Sequence, residues 1–361
     1  MPTEDEIRRS FLSQAEACGQ LGSPFTATLC RLMATRLNLE TDVGTRVLNW
    51  NGEPGSNGDA LPLRLAGALR ALVLSGSDPA LIACYPPATA SDDALWSACE
   101  IAFVQHRDFI LHRLRSAPQT NEVRRSGALL PGFLTIAKLF GKPLVLSEVG
   151  ASAGLNLQWD RYAYRLGDLS WSNSTSLVEI APQWTGAAPP AVEIKIRERA
   201  GCDLNPLDPS SADDRLRLLS YIWADQADRI ARTQAALEIA VDNKLSVERA
   251  DAIDWLKTRL ATPFAGATHV IYHSIAWQYL PQTLQAAGEK LIAEAGARAT
   301  ADAPIARLQM EAKSGTQGAA ITLQVWPSAD IHQIGRADFH GRWVDWSGWP
   351  DQQSATANAA S

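Results

Sequence analysis

A short apolar strand that breaks into a glycine-rich turn limits the possible folds of this chain more than any other feature. The string LVLSEVGASAGLNL occupies residues 144–157. Its first six residues read as a buried strand that carries the acidic Glu148 near its end. Gly150 and Gly154 allow the backbone to take positive φ and to pass close to a ligand. With a helix expected next, whose first N–H groups would be free, the string predicts a nucleotide-binding α/β fold.

The chain after residue 140 alternates between strands and helices. Strands are predicted at Pro143–Val149, Val192–Cys202, Leu245–Ala250, Thr268–Ser274, Ile305–Glu311 and Ala320–Trp326. Helices are predicted at Asp213–Ala240, Ala252–Leu260 and Pro281–Ala295. This alternation predicts a mainly parallel sheet covered by helices on both faces, a Rossmann-like three-layer sandwich. Eight residues between Glu311 and Ala320 are too few for a crossover helix, so the C-terminal edge should be an antiparallel hairpin.

The first 140 residues predict helices alone, because apolar residues recur at steps of three and four. The predicted helices are Glu4–Ala17, Pro24–Leu37, Leu61–Leu74, Asp93–Arg115 and Val123–Phe140. We therefore expect an all-α N-terminal domain over 1–140, which serves as a lid or substrate-binding domain or as a dimer interface. An α/β domain follows over 141–349, with a Trp-rich insertion at about 158–190 that packs over the sheet edge or the pocket. The polar tail 350–361 should be disordered.

Composition argues against several classes of partner. The chain has 361 residues and a formal net charge of −6, and its longest basic run is a pair, so no nucleic-acid partner is expected. No apolar stretch is long enough for a membrane span, and no secretory signal is visible. The five cysteines are scattered, which favours reduced thiols in the cytoplasm and no metal site. The expected partner is a small molecule, and the oligomeric state is left open.

The glycine-rich string resembles the first motif of class I S-adenosylmethionine-dependent methyltransferases, an acidic residue followed by Gly-x-Gly-x-Gly. In that family the loop wraps the methionine and ribose portions of the cofactor. The match falls on Glu148, Gly150, Ser152 and Gly154, and Asn156 in the same string is a further candidate contact. Ser152 departs from the motif, where the family has glycine. The alternative is a strand-to-helix turn that needs its glycines for structure alone.

Two later strand ends carry acidic residues that extend the resemblance. Asp203, followed by Leu204, stands where a carboxylate accepts the ribose hydroxyls. In the methyltransferases an aspartate at the place of Asp251 bonds the adenine amino group, and the next residue, here Ala252, supplies a backbone N–H. Each aspartate has an alternative role as the cap of the following helix. The strand Thr268–Ser274 resembles the family's fourth strand, whose end faces cofactor and substrate.

The resemblance extends over about residues 142–346 and implies binding of S-adenosylmethionine. The whole sequence is also similar to an uncharacterised bacterial family with the same two-part layout. Asn121, Glu122 and Arg125, just before the first strand, are candidate contacts to the cofactor carboxylate or the substrate. Their alternative reading is a capping box with a solvated basic pair.

The function implied by the resemblance is methyl transfer to an unidentified acceptor. Candidate general bases are His273, Glu122 and His340, with His273 preferred because it ends a central strand; Asp338 could line the pocket beside His340. No Asn-Pro-Pro-Tyr signature follows the fourth strand, which disfavours adenine or glutamine N-methylation. A catalytically silent nucleotide-binding protein is the main alternative. An NAD-dependent oxidoreductase is a further one, although the Gly-x-Gly-x-x-Gly loop is missing.

Overall fold

The structure is a computed structural model that describes residues 1–172, 176–315 and 317–350. Within them the chain forms twelve α-helices: α1 (Glu4–Gln20), α2 (Pro24–Arg36), α3 (Asp42–Leu48), α4 (Leu61–Leu74), α5 (Pro79–Cys84), α6 (Asp92–Gln105), α7 (Arg107–Arg113), α8 (Arg125–Phe140), α9 (Ala212–Ser220), α10 (Ala227–Asp242), α11 (Ala252–Arg259) and α12 (Gln282–Ala297). The predicted tail lies outside the described residues except for Pro350.

Twelve strands lie in the same ranges: β1 (Leu144–Val149), β2 (Ala163–Leu166), β3 (Leu169–Ser172), β4 (Glu179–Ile180), β5 (Gln183–Gly186), β6 (Ile196–Asp203), β7 (Glu248–Arg249), β8 (Thr268–Ser274), β9 (Ile305–Ala312), β10 (Ala319–Trp326), β11 (Ile331–Ala337) and β12 (Trp343–Trp346). Two short 3₁₀ segments, Leu155–Arg161 and Trp277–Tyr279, follow β1 and β8.

The chain divides into two compact units. The helical unit contains Met1–Thr120 and Ser211–Gln234, and the sheet unit contains Asn121–Ser210 and the residues from Ala235 onward. The predicted boundary at residue 140 differs from this division, because α8 is part of the sheet unit. Gly132 of α8 packs so closely on Leu308 of β9 that an added Cβ would lie 2.5 Å from Leu308 Cδ1.

The helical unit is built on α4, whose sequence LPLRLAGALRALVL is buried along most of its length. It forms one core cluster with side chains from α1, α2, α3, α5, α6 and α7. A second stretch of chain, residues 211–234, completes this unit and is called the excursion below. Tyr221 after α9 lies against Gly67, where a Cβ would be 2.6 Å from the ring, and Asp225 accepts hydrogen bonds from Ser23 Oγ and the Phe25 amide.

The sheet unit contains a nine-stranded mixed sheet in the order β5-β12-β11-β10-β9-β8-β1-β6-β7. From β7 to β9 every neighbouring pair is parallel. The β9–β10 pair is antiparallel, which confirms the predicted hairpin. The sheet continues through antiparallel β11 and β12, and β5 then adds parallel to β12. Sequence reading missed β11 and β12.

Helices cover both faces of the sheet. Because alternate strand residues point to opposite faces, Ile271 and Tyr272 of β8 face different layers. Ile271 belongs to a cluster with Ile253 of α11 and Ile292 of α12. Tyr272 packs edge-on against Phe133 of α8, with ring centroids 5.1 Å apart. The Trp-rich segment contributes a small sheet in the order β3-β2-β4 and the edge strand β5.

Several predicted elements differ in extent. The predicted helix Asp93–Arg115 is two helices, α6 and α7, and Asp213–Ala240 is also two, α9 and α10. The predicted strand Leu245–Ala250 shortens to β7, which pairs only at its two residues with the end of β6. In the described part of the chain, no helix is long and apolar enough to cross a membrane.

Candidate functional site

Successive strands of the parallel part of the sheet are first added on one side of β1 and then on the other. This switch point at β1 locates the candidate site. From β1 the chain adds β6 and β7 on one side and β8 and β9 on the other. All six residues of β1 are buried, as expected for a central strand. In open α/β sheets, ligands bind outside the carboxyl ends of the strands at such a point. Those ends carry the glycine loop 150–154, Asp203 and the segment after Ser274.

The glycine loop has three residues at positive φ: Gly150 at 71°, Ser152 at 54° and Gly154 at 72°. Ser152 therefore adopts a conformation that favours glycine, at the position where the methyltransferase motif has glycine. At Gly150 a Cβ would lie 2.6 Å from Cβ of Ala276. The loop therefore passes directly against the segment that follows β8.

The loop's backbone N–H groups are largely engaged inside the chain. Gly150 and Ala151 both donate to the Cys202 carbonyl at 3.0 Å, and Leu155 donates to Asn121 Oδ1 at 2.8 Å. A 3₁₀ segment, Leu155–Arg161, stands where an α-helix with free N–H groups was expected, so that prediction is wrong. The loop does not present the row of free amides that a pyrophosphate needs.

Asp203 joins the end of β6 to the glycine loop. Its Oδ2 accepts the Ser152 amide at 2.9 Å, and its Oδ1 accepts the Asn205 amide at 2.8 Å. The carboxylate therefore fixes both the loop and the turn after β6, and each oxygen keeps a second lone pair for a ligand. The next side chain, Leu204, is 60% exposed, which places a large apolar group at the same edge.

Asp251 caps α11. Its Oδ1 accepts the amides of Ile253 at 2.8 Å and Asp254 at 3.3 Å, which confirms the capping role. The Ala250 amide donates to the Asp203 carbonyl, so the two acidic strand ends are neighbours through the backbone. Asp251 Oδ2 takes no part in the cap, and Ala252 is the buried first residue of the helix.

Glu148 is a buried carboxyl group beside Tyr272. The two residues are register partners in β1 and β8, and the Tyr272 hydroxyl lies 3.3 Å from both Glu148 Oε2 and the Asn156 carbonyl. Glu148 is 2% exposed. Burial raises the pKa of Glu148 well above its usual range, although Tyr272 and Arg125 oppose the shift.

Asn121, Glu122 and Arg125 lie in the sheet unit. They bond to the segments at the carboxyl ends of its strands. Arg125 Nε donates to the Phe339 carbonyl at 2.9 Å, and its Nη1 donates to the Ser274 carbonyl at 3.2 Å. The Glu122 carbonyl accepts from Asn156 Nδ2. Arg125 is buried, so the predicted solvated basic pair is wrong, whereas Glu122 Oε1 does accept the Arg124 amide at 3.1 Å at the start of α8.

His273 has no ring nitrogen available for substrate. It is fully buried; Nδ1 lies 2.7 Å from Glu311 Oε1, and Nε2 lies 3.3 Å from Arg307 Nη2. Because a guanidinium only donates, Nε2 accepts and the Nδ1 proton is given to Glu311. Burial lowers the pKa of His273. Both ring nitrogens of His273 are therefore engaged within the chain, an arrangement that favours a structural role, and its role as general base stays a prediction.

A family model described as "Uncharacterized protein conserved in bacteria (DUF2332)" matches residues 8–346. The chain belongs to this family. The match includes the glycine loop, both acidic strand ends and the segment 338–342 of this DUF2332 chain. No curated protein and no solved structure matches the chain.

The turn after β11 brings the last candidate residues of this DUF2332 chain to the same edge. Asp338 is buried and accepts from Arg342 Nη2 at 2.7 Å and from the His340 amide at 3.0 Å. His340 is half-buried. The turn packs on the start of α8, since a Cβ at Gly341 would lie 2.6 Å from the Arg124 carbonyl oxygen.

Sequence reading missed Tyr272 and Glu311. Glu311 accepts the amides of Ala276 and Trp277 at 3.1 Å in addition to the His273 proton. Burial opposes its ionisation, but these hydrogen bonds hold the pKa of Glu311 below its usual value. Tyr272 had a usable signal, because a phenol in a strand that is buried at every position requires a buried partner. Glu311 had none, since it lies 38 positions from His273 in sequence.

Proposed function

We propose that the sheet unit binds S-adenosylmethionine at the carboxyl edge of β1, β6 and β7, and that the protein transfers its methyl group to a small-molecule acceptor. The observation that carries the proposal is the cluster of Asp203, exposed Leu204 and Asp251 beside the glycine loop. These groups match the chemistry of an adenosine: carboxylates for hydroxyl and amino groups, and an apolar side chain for the base.

The strand order supports the proposal. Numbered among themselves, the five parallel strands have the order 3-2-1-4-5, the arrangement of Rossmann-like nucleotide-binding sheets. The sheet departs from that pattern after β9, where the chain turns back at once into antiparallel β10. The cofactor site of the proposal therefore rests on the five parallel strands and their loops, and the C-terminal edge contributes only the candidate base His340.

The hydrogen bonding of the glycine loop favours S-adenosylmethionine over NAD. A dinucleotide presents a pyrophosphate, which needs several free amides. Gly150, Ala151, Ser152 and Leu155 already donate within the chain. S-adenosylmethionine carries no phosphate. Two buried oxygens, Ser152 Oγ and Asn156 Oδ1, have no hydrogen-bond partner among the described residues, and both lie in the segment expected to contact the methionine portion.

The cofactor supplies an activated methyl group, so the protein must chiefly hold the acceptor in line with it. Because both nitrogens of His273 are engaged, a proton would have to pass to Glu122 or His340, or to no protein group. The engagement of His273 also favours the second candidate function, a protein that binds the cofactor without turning it over.

Calorimetric titration with S-adenosylmethionine, S-adenosylhomocysteine and NAD tests the proposal. We expect the first two to bind and NAD not to bind. Leu204→Ala should weaken binding roughly fivefold, since about 1 kcal/mol of apolar contact is lost. Leu39→Ala is the matched control, because Leu39 is 59% exposed in the helical unit.

Equal affinity in Leu204→Ala and Leu39→Ala, or absence of binding, would reject the proposed site. Turnover of the cofactor distinguishes the transferase from the second candidate function, a protein that only binds the cofactor. Formation of S-adenosylhomocysteine in the presence of an acceptor supports the transferase, whereas binding with no product over an acceptor screen supports the silent binder.

A further inference from the structure

A cavity of about 260 Å³ in the helical unit is lined by two arginines and two leucines, Arg46, Leu111, Leu114 and Arg115. Arg46 belongs to α3, whereas the other three residues lie near the end of α7 and directly after it. Leu114 is buried and Leu111 is half-buried, but both arginines are exposed to solvent. The cavity therefore combines apolar walls with two basic groups that a dissolved ligand can reach.

The two arginines of the cavity have no carboxylate partner in the described part of the chain. Two carboxylates lie close to them in sequence, Asp42 in α3 and Asp108 in α7. Both of these carboxylates pair with Arg107 instead. The acidic groups that could have neutralised Arg46 and Arg115 from the same helices are therefore already engaged.

Two further arginines beside the cavity are neutralised by carboxylates of their own. Arg64 donates from Nη1 to the Leu114 carbonyl at 3.0 Å, and its Nη2 lies 3.1 Å from Asp59 Oδ1. Arg113, which precedes Leu114, has its Nη2 at 2.6 Å from Asp213 Oδ1. Of these four arginines, only the two that line the cavity keep an uncompensated charge.

Trp50 holds the guanidinium group of Arg46 in place. The guanidinium carbon lies 4.7 Å from the centroid of the Trp50 ring, which is a cation–π contact. The ring is fixed in turn, because Trp50 Nε1 donates to Asp59 Oδ2 at 2.8 Å. A guanidinium group stacked on a ring still directs its N–H donors outward in its own plane. Arg46 is therefore oriented before a ligand arrives.

We propose that this cavity binds the phosphate group of a small phosphate monoester, whose apolar portion contacts Leu111 and Leu114. A phosphate monoester carries nearly two negative charges above neutral pH, which match the two uncompensated guanidinium groups. A carboxylate would neutralise only one of them. The residues all belong to the helical unit, so this proposal goes beyond the proposed function of the sheet unit and does not depend on it.

The size and the walls of the cavity restrict the rest of the ligand. Pockets for drug-sized ligands measure roughly 300–1,000 Å³, so a cavity of about 260 Å³ takes a smaller molecule. Leu111 and Leu114 favour contact with carbon over contact with polar groups. A short alkyl phosphate has the required chemistry, and n-butyl phosphate is therefore the probe.

Calorimetric titration of the full chain with n-butyl phosphate at pH 8, where the phosphate is a dianion, tests the proposal. We expect one site with a Kd of roughly 1 mM or lower, as is typical of a ligand with so few atoms. Inorganic phosphate should bind several-fold more weakly, because it lacks the apolar portion. Pentanoate, which has the same butyl group on a carboxylate, should bind roughly tenfold more weakly because it carries a single charge.

The variants Arg46→Gln and Arg115→Gln should each weaken the binding of n-butyl phosphate roughly tenfold, because a charged hydrogen bond is lost. Arg9→Gln is the matched control and should leave the affinity unchanged, since Arg9 is exposed in α1 and lines a different cavity of the same unit. Leu111→Ala should weaken n-butyl phosphate but not inorganic phosphate. Melting followed by circular dichroism checks that each variant keeps its fold.

The outcomes are distinct. Loss of affinity in both cavity variants, but not in Arg9→Gln, supports the site. A similar loss in all three arginine variants reflects general charge attraction and overturns it. Pentanoate binding as tightly as n-butyl phosphate, or no binding of n-butyl phosphate, overturns the assignment to a phosphate monoester. The titration with S-adenosylmethionine judges the proposed function separately, so each can fail without the other.

Discussion

His269 shows how one buried residue makes stability depend on pH. It is 3% exposed, and its Nε2 lies 2.8 Å from Ser147 Oγ, which in turn accepts from Arg259 Nε at 3.1 Å. The serine hydrogen is therefore directed to Nε2, and the imidazole is neutral. Burial, aided by the charge of Arg259, lowers the pKa of His269 to about 3.

Because the folded pKa of His269 lies below its unfolded value, the unfolded chain takes up the proton first as pH falls. The stabilisation is complete above pH 6.5 and is lost progressively between that pH and about pH 3. We expect the free energy of unfolding to fall by on the order of 2 kcal/mol from pH 7 to pH 5 through this group. Urea unfolding at the two pH values measures the change.

His269→Gln should remove that part of the pH dependence, although it also lowers stability at pH 7. His112→Gln, on the exposed surface of α7, controls for the loss of an imidazole. The same loss of stability from pH 7 to pH 5 in His269→Gln and in the natural chain would contradict the assignment to His269.

At the scale of elements, the role of Asp251 as the cap of α11 can be tested separately from its proposed role in ligand binding. Asp251→Ala should reduce the free energy of unfolding by about 1 kcal/mol, because two amides lose their acceptor. Asp251→Ser should retain most of that stability, since serine also caps helices. Thermal unfolding of both variants measures the difference. Asp254→Ala in the same first turn is the control, and its free energy of unfolding should fall by only a few tenths of a kcal/mol.

Ligand affinity in the same variants tests the carboxylate. If Asp251 Oδ2 bonds the adenine amino group, Asp251→Ser restores stability without restoring affinity for S-adenosylhomocysteine. Recovery of both by serine would leave Asp251 as a helix cap alone.

Elements that are buried along most of their length could be predicted from sequence. Leu61–Leu74 and Thr268–Ser274 have the predicted bounds, because one has continuous helical periodicity and the other is buried at every position. β11, with the sequence IHQIGRA, could not be predicted. Of its first three residues, Ile331 and Gln333 are exposed and His332 is half-buried, and the strand is defined by its pairing with β10.

The candidate site was predictable only where a strand end and its loop are adjacent in sequence. The glycine loop, Asp203 and Asp251 were found in this way. Their hydrogen-bond partners could not be found, because they come from distant strands: Ser152 bonds Asp203 across 51 positions, and His273 meets Glu311 across 38. The partners of both ring nitrogens of His273 could not be predicted for the same reason, since burial and pairing depend on tertiary packing.

For the whole molecule, the excursion 211–234 predicts that residues 1–140 do not suffice for a stable helical unit. A fragment 1–140 lacks Tyr221 and Asp225 and carries α8 with its buried face uncovered. We expect it to unfold at low temperature or to aggregate. The fragment 1–120 mixed with a peptide of residues 211–234 should show a higher melting temperature than the fragment alone, measured by circular dichroism.

The matched control is the same peptide with Tyr221→Ala, which removes the ring that packs on Gly67. If fragment 1–140 alone melts as cooperatively as fragment 1–120 with the natural peptide, the excursion is not part of the helical unit.

The same excursion sets an order of events during synthesis. The helical unit comes first in the sequence, yet its last segment ends at Gln234, after six strands of the other unit have been made. A ribosome must therefore produce about two thirds of the chain before the first unit can close. Until then part of the apolar surface of the N-terminal helices is uncovered, and we expect the nascent chain to expose this surface while residues 121–234 are synthesised.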